Sequence, residues 1–230
     1  LLEFDEDLCN RLAQKYASAD NVRVLNMDAR DFGSDVDPWT RETDYKVVAN
    51  LPYYAASPIT RNFLESTRKP TSMVIMIQRE VANDMSAKPD DMSLLSLAIQ
   101  IYSTAEHVVD APPECFNPPP KVHSTVIKLT PTSETQITFE SEDDFFTLAR
   151  SGFKSPRKQL HNSLSDGLFI PLDDARNLVE KTVFESSRLP STLSLSDWQI
   201  LYDVWVEAGR PLQVKGSVRR KRQNRQNKTP

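Results

Sequence analysis

The stretch VVANLPYYAASP, Val47 to Pro58, decides how the chain is read. A short apolar β-type run ends at Asn50, and Leu51-Pro52-Tyr53 follow at once. In open α/β sheets ligands bind outside the carboxyl ends of the strands. A strand that runs into a polar side chain, a proline and an aromatic ring therefore has the makings of a reactive loop. Pro52 fixes its own φ, lacks an N–H and restricts Leu51, which stiffens that loop. Asn50 offers an acceptor and an NH₂ donor pair, which suits it to hold a polar amine. An ordinary strand-to-turn junction reads the same way, so the rest of the chain has to decide.

Working outward, Leu1 to Asp5 is a short apolar strand ending in acidic residues, and Leu8, Leu12 and Ala13 are spaced as a helix over 7–16. Val22 to Leu25 reads as a second strand and Tyr45 to Ala49 as a third. A helix over 57–66 is expected to start with Ser57 as N-cap and Pro58 at the first helical position. The apolar run SMVIMI, Ser72 to Ile77, fits a strand buried on both faces. Helices follow from Gln78 and over 92–102, then β-type segments over 105–109 and 124–129. Strands alternating with helices predict a mainly parallel sheet covered on both faces. Past Pro131 only helical patterns remain, over 145–153, 156–164, 173–183 and 196–208. Ser155-Pro156 and Ser194 to Asp197 are the expected helix starts there, and Gly209 the expected C-cap. The reading is an α/β core over 1–131, a linker over 130–137, and an all-helical domain over 137–209.

Composition narrows the function classes. The chain has 230 residues, enough to bury a proper core, and no apolar run long enough to span a bilayer. Cys9 and Cys115 make no disulfide framework, which points to a reducing cytoplasm. His107, His123 and His161 are scattered without metal-ligand spacing, so no metal is expected. The net charge of −4 hides an asymmetry: residues 210–230 carry eight Lys/Arg and no acid, leaving 20 basic against 32 acidic residues elsewhere. A basic tail on an acidic body suggests contact with a polyanion, most simply nucleic acid; a solvated, disordered tail is the other reading. The opening Leu1-Leu2-Glu3-Phe4-Asp5, without Met and already strand-like, leads us to expect a segment upstream.

Three polar side chains end three successive strands. Glu3 stands where a nucleotide-binding sheet places a carboxylate against ribose hydroxyls, although a surface carboxylate would look no different. Asp28 could accept from an adenine amino group or simply form a turn. Asn50 ends the third strand. Tyr53 and Phe116 are candidates to stack a base, against the commoner fate of aromatics in a core. For Phe116 the following Asn117-Pro118-Pro119-Pro120 cannot continue a strand or helix, so the ring lies on a rigid loop.

These residues add up to a resemblance. Asn50-Leu51-Pro52-Tyr53 resembles the N-[LI]-P-[YF] motif of adenine-N6 methyltransferases acting on ribosomal RNA. Phe116 to Val122 with Ser124 resembles F-x-P-P-P-K-V-x-S, a hallmark of the small-subunit rRNA adenine N6,N6-dimethyltransferase family. Gln78-Arg79-Glu80-Val81, Leu94 to Gln100, and the basic segment Phe153 to Leu164 resemble further stretches of that family. The resemblance runs from Leu1 to about Gly209.

It implies a Rossmann-like S-adenosylmethionine-dependent methyltransferase sheet followed by the helical domain. Glu3 would hold the ribose of S-adenosylmethionine, and Asp28 with Ala29 its adenine. Asn50 would lie between cofactor and target, its side chain and the Leu51 carbonyl accepting from the N6 amine. Pro52 belongs to the same catalytic motif, and Tyr53 and Phe116 would sandwich the flipped adenine. Lys121, Arg157 and Lys158 would contact phosphates. The expected partner is small-subunit rRNA in an immature subunit, met by a cytoplasmic monomer with no membrane role.

Two departures carry weight. The family's glycine-rich G-x-G-x-G-x-L-T loop should precede Glu3, and the chain contains no such sequence; the basic Q-N-F-L segment is absent too. Glycine lets backbone approach the methionine moiety, so the chain as given is expected to bind cofactor poorly and to lack activity, as a fragment of an active enzyme. Pro156 also stands where the family often has a basic residue. The alternatives are the large-subunit rRNA adenine methyltransferase of macrolide resistance and a non-catalytic RNA-binding assembly factor on the same fold. Leu51 and Pro118-Pro119-Pro120 favour the small-subunit enzyme over the first, and intact Asn50, Pro52 and Tyr53 argue against the second.

Overall fold

A computed structural model describes residues 1–33, 43–185 and 187–212. The basic stretch discussed above lies, from residue 213 onward, outside the described residues. The described residues form two compact units, one within 1–86 and 98–134 and one within 87–97 and 135–212.

In the first unit, β1 (Leu2–Glu3) leads into α1 (Glu6–Lys15). The Asp5 side chain caps α1 by accepting from the Leu8 N–H at 2.9 Å, with Glu6 and Asp7 in the first turn and Lys15 in the last. β2 (Leu25–Asn26) pairs parallel to β1, with Glu3 opposite Asn26. β3 (Lys46–Asn50), β4 (Ser72–Gln78), β5 (Ser103–Ala111) and β6 (Ser124–Pro131) form a second sheet in the order β3-β4-β6-β5. α2 (Ala56–Glu65) joins β3 to β4; α3 (Arg79–Met85) follows β4, and α4 (Leu94–Gln100), which the division between the units falls within, precedes β5.

Only the β1–β2 and β3–β4 pairs are parallel; β6 runs antiparallel to both β4 and β5. The expectation of a mainly parallel sheet is corrected here, and the cause is the connection. β5 and β6 are joined by a proline-rich loop with no crossover helix, which only an antiparallel return permits. β4 departs from both-face burial as well: Met73, Ile75 and Ile77 are fully buried, whereas Ser72, Val74, Met76 and Gln78 are half-buried. Its two faces are thus unequally covered. Among the described residues β3 is a sheet edge, and Val48 there is 82 % exposed. α2 starts two residues earlier than the expected cap implies, with Ala55 as N-cap, so Ser57 is not the cap and Pro58 is not the first helical residue. Pro58 falls in the first turn, where a missing N–H costs nothing.

The second unit holds α5 (Glu142–Gly152), α6 (Leu160–Leu168), α7 (Leu172–Glu180) and α8 (Leu195–Glu207). Residues 87–97 cluster with it, and the N–H groups of Asp90 and Met92 both bond the Ser191 carbonyl. The start expected at Ser155-Pro156 is displaced: α6 begins after Gln159, because 154–158 form turns, closed by a Lys158 N–H to Ser155 carbonyl bond of 2.8 Å. α8 opens as expected, in a capping box between Ser194 and Asp197. Gly209 follows α8 with φ +80°, the left-handed conformation that favours glycine at a helix end. The core is aromatic: Trp198, Tyr202 and Trp205 of α8 are buried, and Tyr202 meets Phe145 of α5 edge-on. Gly167 of α6 lies directly against Ser151 of α5.

Candidate active site

The loop after β3 is built from the backbone up. Asn50 pairs with Met76 in the β3–β4 register, and the Leu51 N–H continues that ladder to the Met76 carbonyl at 3.1 Å. Leu51 is buried, while Asn50 and Pro52 are exposed. The Pro52 carbonyl then accepts the Ala55 N–H at 2.9 Å, closing a turn that carries Tyr53 and Tyr54 before α2 begins. Asn50 is thereby presented on a rigid strand end, outside the core.

A cavity of about 710 Å³ opens beside this strand end. Glu3, Asp28, Ala29, Asn50, Leu51 and Pro52 all line it, together with apolar side chains of β1, β2 and β3. The structure therefore brings six of the expected site residues around one space, of the size that takes a small organic ligand. Tyr53 and Phe116 are not among its lining residues.

Each carboxylate has a distinct setting. One Glu3 oxygen accepts the Asp5 N–H at 2.9 Å, and the Glu3 carbonyl accepts from Met27 N–H and Asn26 Nδ2. Asp28 is engaged more heavily. Its Oδ1 accepts the Arg30 N–H at 2.8 Å, and Arg30 Nε and Nη2 donate to the carboxylate as well. The hydrogen bonds of the Arg30 side chain, then its backbone N–H, hold the Asp28 carboxyl below the ordinary carboxylate range. The Ala29 carbonyl is taken by Asn62 Nδ2 of α2, which also bonds the Phe32 carbonyl and so pins the 28–32 loop.

The second motif lies on the loop between β5 and β6. Pro113–Cys115 form a short 3₁₀ turn, Phe116 follows it half-buried, and the Asn117–Pro118 peptide is cis. Lys121 is exposed on the same loop. Tyr53 reaches this region through its hydroxyl, 2.8 Å from Ser124 Oγ at the start of β6. Arg157 and Lys158 sit exposed in the turn before α6 of the helical unit, where Lys158 pairs with Asp166 at 3.0 Å.

Reading by residue type missed three partners: Arg30 on Asp28, Asn62 beneath Ala29, and Ser124 against Tyr53. An arginine two places after an aspartate is a visible signal of the first. Ser124 stood inside the quoted motif, without a role. Asn62 left no mark, since only the fold brings it to the loop. Among the described residues no group of three or more His, Cys, Asp or Glu comes together to hold a metal, and no helix is long and apolar enough to cross a membrane.

Comparison with known proteins places the family and the fold. The family model described as ribosomal RNA adenine dimethylase matches residues 1–198. A protein of Dehalococcoides mccartyi named "Ribosomal RNA small subunit methyltransferase A" is 37 % identical over 206 residues, covering 90 % of this chain and 70 % of its own. One of the same name from Clostridioides difficile is 35 % identical over 207 residues, covering 88 % and 72 %. Among solved structures, a dimethyladenosine transferase from Plasmodium falciparum superposes with a TM-score of 0.74 at 22 % identity, covering 90 % of this chain and 82 % of that one. The 23S rRNA methyltransferase ErmE does so at 0.64 and 19 %, covering 88 % and 80 %. At such identities those two establish the α/β methyltransferase fold with its C-terminal helices and nothing finer. On the family match and the sequence relatives, the chain belongs to the ribosomal RNA adenine dimethylase family.

Proposed function

We propose that this chain transfers methyl groups from S-adenosylmethionine to N6 of two adjacent adenosines near the 3′ end of small-subunit rRNA, dimethylating both during ribosome assembly in the cytoplasm. One observation carries the reading: Glu3, Asp28 and Ala29 share a single cavity with the Asn50-Leu51-Pro52 strand end. The two sequence relatives named above both carry the name of a small-subunit rRNA methyltransferase, which supports this substrate over large-subunit rRNA.

The donor set fits the adenosine half of the cofactor. Glu3 keeps one carboxylate oxygen beyond its bond to Asp5, available to ribose hydroxyls. Asp28 is anionic, and an adenine amino group there has to share it with Arg30. The chain's five glycines stand at 33, 152, 167, 209 and 216, none of them spaced as a loop that would admit the methionine end. S-adenosylmethionine supplies, when bound, an electrophilic methyl group on sulfur.

This chain's residues then align the nucleophile. The Asn50 side-chain carbonyl and the Leu51 carbonyl accept from the N6 amine, turning its lone pair out of conjugation with the ring. No general base is needed before attack, because the proton leaves once N6 has become cationic. Catalysis is alignment and exclusion of water. Tyr53 and Phe116 grip the two faces of the adenine, and Lys121, Arg157 and Lys158 hold backbone phosphates.

Radiolabelled methyl transfer to unmethylated small and large subunits tests the reading, in a protein with the family's glycine-rich segment joined ahead of Glu3; the same protein serves in the transfer assays below. Label in small subunits alone is the expected result. Label only in large subunits would favour the resistance-type activity, and RNA binding with no incorporation would favour an assembly factor.

A further inference from the structure

Tyr53 and Phe116 come from loops far apart in the chain, and a slot between two rings is useful only if both walls stay put. The wall carrying Phe116 is well rooted. β5 and β6 pair up to Ala111 and Ser124, at the two feet of the loop. Thr125 Oγ1 donates to Asp110 Oδ1 at 2.6 Å, and the same oxygen lies 3.0 Å from His107 Nε2. The wall carrying Tyr53 has less support, since the residue sits in the turn between β3 and α2 and its ring is half-buried.

One contact joins the two. Ser124 is 1 % exposed and pairs with Gln78 of β4 on one side and Ala111 of β5 on the other, so its backbone is held on both flanks. That hydroxyl lies 2.8 Å from the Tyr53 hydroxyl, 71 residues away in sequence. A tyrosine has two side-chain torsions, and anchoring its far end settles both. A buried hydroxyl also needs its partner, so the contact resists opening.

We propose that Ser124 is a positioning residue that clasps Tyr53 to the root of the Phe116 loop and so fixes one wall of the adenine slot. Ser124 touches no substrate; it acts through the ring. The inference rests on the role of Tyr53 proposed above, and the experiment separates the two. In the full chain with ¹³C-labelled tyrosine, Ser124→Ala should shift the Tyr53 ring resonance and leave the other five tyrosines in place; an unmoved Tyr53 resonance overturns the clasp. In methyl transfer to unmethylated small subunits, Ser124→Ala and Tyr53→Phe should each lower kcat about three- to tenfold, the loss of one neutral hydrogen bond, with KM within about twofold. The double variant should be no worse than the poorer single, and Ser124→Thr should recover most of the loss. Additive losses, or no rescue by threonine in a protein of unchanged melting temperature, overturn the proposal. A wild-type protein carrying the joined glycine-rich segment that transfers no methyl refutes the proposed function instead, and the tyrosine resonance still decides the clasp.

Discussion

Replacing Asn50 by alanine separates alignment from folding more cleanly than any other change in this chain. The residue closes β3 opposite Met76, its side chain is exposed, and the next ladder bond uses the Leu51 backbone. Alanine therefore removes no packing and no sheet hydrogen bond, and the stability change should stay within about 0.5 kcal/mol. The catalytic effect should be far larger. An acceptor aimed at an amine that becomes cationic is the mirror image of an oxyanion-hole donor, whose removal costs about 10²–10³ in kcat. Single-turnover methyl transfer to unmethylated small subunits measures the rate, filter binding of the same subunits measures association, and calorimetry checks the fold. The expected pattern is a loss of at least 10² in rate with association within about twofold. If association falls in step with rate, Asn50 holds RNA and not the reacting amine, and the mechanism proposed above is wrong at its centre.

Other perturbations probe the supports of the fold and site. Gly167→Ala would set a Cβ onto Ser151, 2.6 Å from its carbonyl oxygen where α5 and α6 touch, so overpacking of about 1–3 kcal/mol should lower the melting temperature by about 3–10 °C; an unchanged melting temperature in calorimetry would mean that the helices separate freely. Arg30→Gln should raise the Asp28 carboxyl pKa toward its ordinary value of 3.8, read from its ¹³C titration, since Arg30 is what lowers it; a static titration would mean that the ion pair does not form in solution. Burial pushes Asp197 up, but the Ser194 N–H and hydroxyl and the Arg188 guanidinium outweigh it and leave the carboxyl below 3.8. A depressed carboxyl contributes stability in full above its unfolded value and loses it as pH falls through the folded one. The melting temperature of the helical unit should therefore drop from about pH 5 downward more steeply in the wild type than in Asp197→Asn, and parallel curves would remove Asp197 from the acid response.

Polar strand ends were legible because their physics is local. Asn50-Leu51-Pro52-Tyr53 announces a stiff loop whatever surrounds it, and Glu3 ends β1 as expected, whereas β2 stops at Asn26 and leaves Asp28 two residues out on the loop that follows. Helix caps were legible where a side chain makes them, as at Ser194, and misleading where a turn intervened, as at Ser155-Pro156. Partners that depend on the fold were not legible. Asn62 lies more than thirty residues from the carbonyl of Ala29 that it secures, and no period or spacing links the two. Strand direction was hidden for the same reason, since an apolar run looks the same in either orientation.

That hidden direction is what brings the two motifs to one rim of the sheet. In a parallel sheet every strand begins at the rim opposite to where its neighbours end, so a loop entering β6 would lie far from the loop leaving β3. β6 runs the other way: Ser124, its first residue, pairs with Gln78, the last residue of β4, and β4 runs parallel to β3. The root of the Phe116 loop is thereby delivered to the carboxyl rim where Asn50 and Tyr53 emerge, close enough for the Tyr53–Ser124 contact. A cofactor site alone requires only the parallel strands. The adenine grip proposed above requires a second wall facing the first, and the antiparallel return would supply it without a further domain. The proline-rich loop follows from the same demand: a connection that must turn the chain back and still hold a ring in place gains from residues whose φ is already fixed.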